Sequence, residues 1–368
     1  MNDFVLNPNK PPIIIGSGIT GATISMMKPE FSLYDKARYP GGRVSTKQLQ
    51  ENGIRFDIGA TMFRDQMEID WLGKVTQYNL FEIWNTNGVK IETKSIYDKN
   101  HHFPIEGMES IVKGMLKDKS SHQSHTLKSL KKKDNHSWEC IFYSNANKQF
   151  VSVDTSQVIF TLPIPQILEL FTNSEATIEF KRWKDFLETY NDYRKTLVCL
   201  FSWDHWKPDL NSLGLNLENQ IPITTSLQRG EDWEYQSWEH IKYQNDSSKG
   251  ANLLVQFSSL FSETHFEYWM DQEKKPTPFY QEMLTTGVKE KWDTPSPDGI
   301  FLHRWKYAQA QMPLLGREGA LKLDSEEFSE WKTLCKETGI MVLGDWMFGS
   351  KIERIIGGVH FLIHNGIL

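Results

Sequence analysis

Cysteine is scarce in this chain: Cys140, Cys199 and Cys335 are the only three among 368 residues, and no two form a C-x-x-C pair. So sparse and odd a set argues against a disulfide framework and a cysteine-rich zinc site. It leaves each thiol the role of a small buried hydrophobe in a reducing compartment. Long apolar runs are missing too. No stretch approaches the ~18 residues that a membrane-spanning helix needs. The N-terminus, MNDFVLNPNKPP, lacks the basic and apolar regions of a secretory leader. Charge of one sign never accumulates: 41 basic and 47 acidic residues give a net charge of −6, mixed along the chain. Such a balance offers no field for nucleic acid or an anionic membrane. A soluble, cytoplasmic protein with small-molecule partners is expected.

What is present suits a globular chain of two domains, at about 100–200 residues each. Ile13-Ile14-Ile15 is a β-branched run ending at Gly16, the pattern of a strand buried on both faces of a parallel sheet. Ala22 to Met27 reads as a helix, with Pro29 disfavouring its continuation, and Phe31 to Tyr34 as a second strand ending at Asp35. Strand, glycine turn, helix, strand and acid make one βαβ unit. Between 138 and 162, strands at Trp138–Tyr143, Phe150–Val153 and Val158–Phe160 alternate with polar turns and predict an antiparallel meander. From about 166 to 300 the chain is rich in tryptophan, with polar loops such as Asn245 to Gly250, and reads as a second, mixed domain. Ile340 to Leu343 forms a last strand before Gly344-Asp345, and a helix closes the chain within Ser350 to Leu368.

Gly16-Ser17-Gly18-Ile19-Thr20-Gly21 is a G-x-G-x-x-G placed between a strand and a helix. The first glycine allows the tight turn, the second lets backbone approach a pyrophosphate, and the third lets helix pack on strand. The helix N-terminus then faces the diphosphate. Asp35, about 20 residues on, suits a ribose hydroxyl. Alone the motif is weak, since glycine-rich turns occur in many folds. Its continuation is more specific. Asp35-Lys36 leads to Gly41-Gly42-Arg43, where backbone again comes close to phosphate beside a permanent charge, and then to Gly59-Ala60-Thr61. Gly344-Asp345, after a strand and before the closing helix with Ile352, can accept a bond from a ribityl hydroxyl.

This series resembles the FAD-binding half of the flavin amine oxidase superfamily, and within it the renalase-like branch. The resemblance rests on Asp35-Lys36, Gly41-Gly42-Arg43 with Ser45-Thr46, Phe56-Asp57 with Gly59-Ala60 and Phe63, and Gly107-Met108. It continues through Thr161 to Gln166, His303 to Ala308, and Gly344-Asp345-Trp346 with Ile352-Glu353. Most of 170–295 is unmatched, Lys47-Gln48 and Glu106 depart from the branch's pattern, and Ile355, Ile356 and His360 replace smaller residues. The resemblance implies an α/β chain with a discontinuous, Rossmann-like FAD-binding domain, a parallel sheet with an antiparallel meander, at 1–70, 105–165 and 330–368. A mixed α+β substrate domain would take 71–104 and 166–329. It implies noncovalent FAD, a small hydride donor such as a dihydronicotinamide isomer, and reoxidation by O2 with H2O2 formed. Amine oxidation, and FAD binding with little turnover, are the alternatives.

For the donor, strand alternation puts Phe301, His303, Trp305 and Tyr307 on one face. With Phe63 they are the pocket candidates, although such stripes are usually core. His101-His102 reads as a loop and not a metal pair, because adjacent residues point apart and no carboxylates join them. Lys131-Lys132-Lys133 reads as a solvated hairpin end. No metal site and no Ser-His-Asp constellation is expected.

Overall fold

The apolar runs found in the sequence are three adjacent strands of a five-stranded sheet. A computed structural model describes residues 10–48, 55–71, 74–96, 100–134, 137–175, 178–208, 223–224, 232–243, 250–271, 275–314, 320–321 and 325–368. The N-terminal residues 1–9 and the polar loop at 245–249 lie outside them. The sheet runs in the order Ser121–His122, Ser32–Tyr34, Ile13–Ile15, Val158–Phe160, Ile340–Val342, every pairing parallel. The Ile13–Ile15, Val158–Phe160 and Ile340–Val342 strands are buried at every position, as a sheet covered on both faces requires. The helix Ile19–Met27 packs against the closing helix Ile352–His364.

The meander forms a separate antiparallel sheet of His125–Asp134, Ser137–Ser144 and Gln149–Thr155. Its alternating side puts Leu130, Trp138, Cys140 and Phe142 into the first core. Val158–Phe160 instead leaves the meander for the parallel sheet, as its unbroken apolar character would favour. The lysine run lies within a meander strand near its turn, where Lys132 pairs with Glu179 at 2.5 Å and Lys133 with Asp154 at 2.8 Å.

The second sheet is antiparallel, in the order Ile223–Thr224, Trp233–Trp238, Ala251–Phe257, Tyr193–Trp203, Gly299–Ala310. Period-two alternation divides it. Leu197, Cys199, Phe201 and Trp203 face the helices Ser259–His265 and Pro278–Trp292, while Val198, Leu200 and Leu254 face Phe56 and Ile58 of the N-terminal segment. The three cysteines are buried free thiols. Two stretches expected in the second domain pack into the first core instead. These are the helices Ile164–Asn173 and Ile178–Glu188, through Ile167, Phe171, Phe180 and Trp183, and the segment around Trp84 and Phe103. Tryptophan content marks a core, and only tertiary contact shows which one. Among the described residues no helix is long and apolar enough to cross a membrane.

A buried ion network joins the two cores. Lys242 and Asp57, with side chains fully shielded from solvent, meet at 2.5 Å, and Lys242 Nζ also donates to the Thr61 carbonyl at 2.9 Å. Asp57 accepts from Thr46 Oγ1 at 2.6 Å, from the Met108 amide at 3.1 Å and from the Tyr243 hydroxyl. Its own amide donates to Glu239 Oε2 at 3.1 Å. Burial pushes Glu239 up to about 7 against the pull of Lys242. Removing one partner strands a buried charge, which costs about 3–5 kcal/mol. Lys242→Met should therefore lower the unfolding free energy by about that amount, read as a drop in the urea midpoint. The double variant Asp57→Asn/Lys242→Met should be destabilised by less than the sum of the two single changes.

Candidate functional site

The three glycines of the turn sit in three different environments. Gly16 has φ +115°, and its amide donates to the Tyr34 carbonyl at 2.9 Å. A Cβ on Gly21 would stand 2.0 Å from the Gly16 carbonyl oxygen, so helix and strand pack there only without a side chain. A Cβ on Gly18 would meet nothing within 4 Å. Above Gly18 the backbone is therefore open to a ligand. The helix that starts there has no side-chain cap and no acid in its first turn, so its N–H groups and positive dipole end remain available to an anion.

Two further backbone segments thread beside the turn. A Cβ on Gly42, at φ +55°, would lie 3.3 Å from Gly18 Cα, and one on Gly59 would lie 1.9 Å from the Arg43 carbonyl oxygen. The Ala60 amide closes that contact by donating to the same carbonyl at 2.9 Å. Asp35 accepts at Oδ2 from the Ser17 amide (2.5 Å) and hydroxyl (2.8 Å), and at Oδ1 from the Ala37 amide (2.7 Å). Lys36 Nζ reaches Gln166 Oε1 at 3.0 Å.

Arg43 and Asp345 form a two-point ion pair, Nη1 to Oδ2 at 2.5 Å and Nη2 to Oδ1 at 2.8 Å. Asp345 also accepts from the Ala310 amide at 3.0 Å and from Ser350 Oγ at 3.3 Å. The Arg43 charge is thus balanced within the protein. Burial disfavours the charged form of each partner, yet each holds the other ionised: Asp345 lies below its usual value and Arg43 above.

Cavities open at both ends of the turn. One of about 370 Å³ is lined by expected residues Ile19, Arg43, Thr61, Phe63, Trp305 and Asp345, and also by Gly59, Ala60 and Ile352. One of about 250 Å³ is lined by Gly16, Asp35 and Lys36, with Leu127, His125 and Leu162. Ser17, Gly18, Thr20, Gly21, Gly42 and Gly344 line neither and form the turn and its supports. Phe301 packs edge-on to Phe56 at 5.3 Å. His303 stands edge-on to Trp305 at 4.5 Å, and Tyr307 edge-on to Tyr193 at 5.8 Å, neither of them lining the larger cavity. Phe63 is core and cavity wall at once, only 2% exposed.

Several residues here escaped sequence reasoning. Gln256 bonds the Gly59 carbonyl at 2.7 Å and Trp305 Nε1 the Ile58 carbonyl at 2.7 Å, so the second sheet holds the cavity wall in place. A lone glutamine in an apolar strand was the available signal. His101-His102 belongs to the strand His101–Pro104 rather than a loop. Its alternation puts His101 on the cavity and buries His102 beside Asp65 at 3.5 Å.

A carboxylate held below its unfolded value adds stability that is full above roughly pH 4–5 and is lost as pH falls through the lower, folded value. The wild-type urea midpoint should therefore fall as pH drops below about 4. Asp345→Asn should start about 2–3 kcal/mol lower at neutral pH and lose less across that window. Equal acid sensitivity in both proteins would remove the pair from this role.

Residues 14–71 match the NAD(P)-binding Rossmann-like domain family. No curated protein matches the chain in sequence. Solved structures match it almost from end to end at low identity. Reduced UDP-galactopyranose mutase has TM-score 0.59 and 12% identity, over 97% of this chain and 95% of that one. An oxidoreductase from Methanosarcina mazei has TM-score 0.58 and 10% identity, over 96% and 100%. Putrescine oxidase bound to putrescine has TM-score 0.56 and 10% identity, over 97% and 98%. The chain thus has a mixed α/β fold in common with these proteins, built on a Rossmann-like dinucleotide-binding domain.

Proposed function

We propose that the chain is an FAD-dependent oxidoreductase that oxidises a small hydride donor, of the dihydronicotinamide type, with O2 as the final acceptor. The observation that carries this reading is the pair of cavities flanking an open, uncapped helix N-terminus. The smaller, with Asp35, fits an adenosine, the gap over Gly18 fits a diphosphate, and the larger fits a flavin ring with room for a donor. Bound FAD would supply the hydride acceptor, and its electron pair would pass to O2 to give H2O2.

The chain's own residues bind, orient and exclude water. Asp35 and the turn hold the nucleotide, and Ile58, Met62, Phe63 and Trp305 give the larger cavity apolar walls. The N-terminus of the helix Ile352–His364 lies at the same cavity without a side-chain cap, so its dipole favours negative charge arriving there, partly offset by Glu353 in its first turn. A dihydronicotinamide donor that loses hydride becomes an aromatic cation and needs no protein base. No cysteine lines the larger cavity, in keeping with noncovalent binding.

Purified protein should be yellow and release its colour on acid precipitation. Without oxygen, reduced nicotinamide isomers should bleach the flavin band and primary amines should not. Bleaching by amines alone would assign an amine donor, and bleaching by neither would sink both assignments. Gly18→Val should stay folded while losing on the order of a hundredfold in FAD affinity, the loss of about two charge-assisted bonds. Gly21→Val should lower Tm before any question of FAD arises. Unchanged flavin retention in Gly18→Val would move the cofactor away from the turn.

A further inference from the structure

The mouth of the larger cavity carries a guanidinium that, among the described residues, is not ion-paired with a carboxylate. Arg64 and His101 are register partners across the antiparallel pairing of Phe63–Arg64 with His101–Pro104, and both line the cavity. Arg64 Nε donates to His101 Nε2 at 3.0 Å. Among the described residues no Asp or Glu stands within ion-pair distance of the Arg64 guanidinium. Glu353 Oε2 meets only the Arg64 backbone amide, at 3.5 Å. With Nε engaged, the two terminal NH2 groups are left, the edge that grips a carboxylate or phosphate at two points.

The charges around the cavity point the same way. Arg43 and Asp345 cancel each other, Arg64 and Lys351 are cationic and Glu353 is anionic. The lining therefore carries one net positive charge in a chain whose overall charge is −6. Apolar walls lie inside and the cation sits at the exposed rim, so an entering ring would be followed by an anionic tail.

We infer that Arg64, braced by His101, anchors a carboxylate or phosphate on the molecule that enters this cavity. The inference rests on the cavity being the donor site, and it disfavours a donor whose only charge is an ammonium.

Three probes of one ring separate the cases: benzoate, phenyl phosphate and neutral benzamide, each titrated by calorimetry into FAD-loaded and FAD-stripped protein. At least one anion should bind about tenfold more tightly than benzamide. Which of the two binds better identifies carboxylate or phosphate. Arg64→Gln should bring anion and amide to within about twofold, Arg64→Lys should keep part of the preference, and added salt should weaken it. Equal binding of amide and anions, an undiminished preference in Arg64→Gln, or no anion binding up to millimolar concentration would each overturn the inference. Because the calorimetry needs no flavin, a protein that takes up no FAD would refute the proposed cofactor while the anion preference is still read.

Discussion

Backbone passes backbone at the centre of this molecule with no room for a β-carbon. Gly21 sits against the Gly16 carbonyl, Gly42 against Gly18 and Gly59 against the Arg43 carbonyl, so the 16–21, 41–43 and 59–60 segments form one stack. Sterics permit glycine and nothing larger at Gly21 and Gly59, while Gly42 is favoured by its φ of +55° and by a close 3.3 Å approach to Gly18. The stack keeps the first helix on its strand and the Gly18 backbone exposed. It also brings Arg43 to the C-terminal Asp345, which neutralises it. Residues 302 apart in sequence thereby share one ion pair.

The second sheet is tied to the stack by polar contacts as well as by apolar packing. Lys242 holds the Thr61 carbonyl, Gln256 the Gly59 carbonyl and Trp305 the Ile58 carbonyl, so three side chains of that layer grip three carbonyls within residues 58–61 of the cavity wall. A purely apolar contact here could slide. Hydrogen bonds to successive carbonyls set the register between the two layers, and a buried charge at Lys242 makes the alternative arrangements costly. The cavity's shape is therefore a property of the interface between the layers.

How much of this could be read from residues alone follows from the kind of force involved. The glycine stack was legible, because a steric demand for glycine leaves a mark at the position itself. Ile13–Ile15 was legible as a parallel strand because burial on both faces demands an unbroken apolar run, whereas Val158–Phe160, an equally apolar run, was read into the meander. The membership of Trp183 and Phe171 in the first core was not, since an amphipathic helix shows that it has a buried face but not what covers it. Lys242 and Asp57 were missed for a related reason: a buried ion pair looks like two surface residues until the fold brings them together. Alternation correctly grouped Phe301, His303 and Trp305, whose partners Leu200, Val198 and Thr196 alternate in step. It could not say that only Trp305 reaches the cavity, because position along a strand depends on the layer opposite.

That opposite layer also sorts the charges. Arg43 is half-buried, 29% exposed, against Asp345 at 3%, and the pair shows two-point geometry. A carboxylate as buried as Asp345 must be paired to remain tolerable, so the guanidinium that meets it is spent on the fold. At the rim Arg64 keeps its hydration and needs no carboxylate, which leaves its terminal edge free for exchange with a ligand. Depth therefore separates an arginine that holds the site together from one that can select what enters it. Charge counted along the sequence cannot make that distinction, because both residues contribute the same unit to the total.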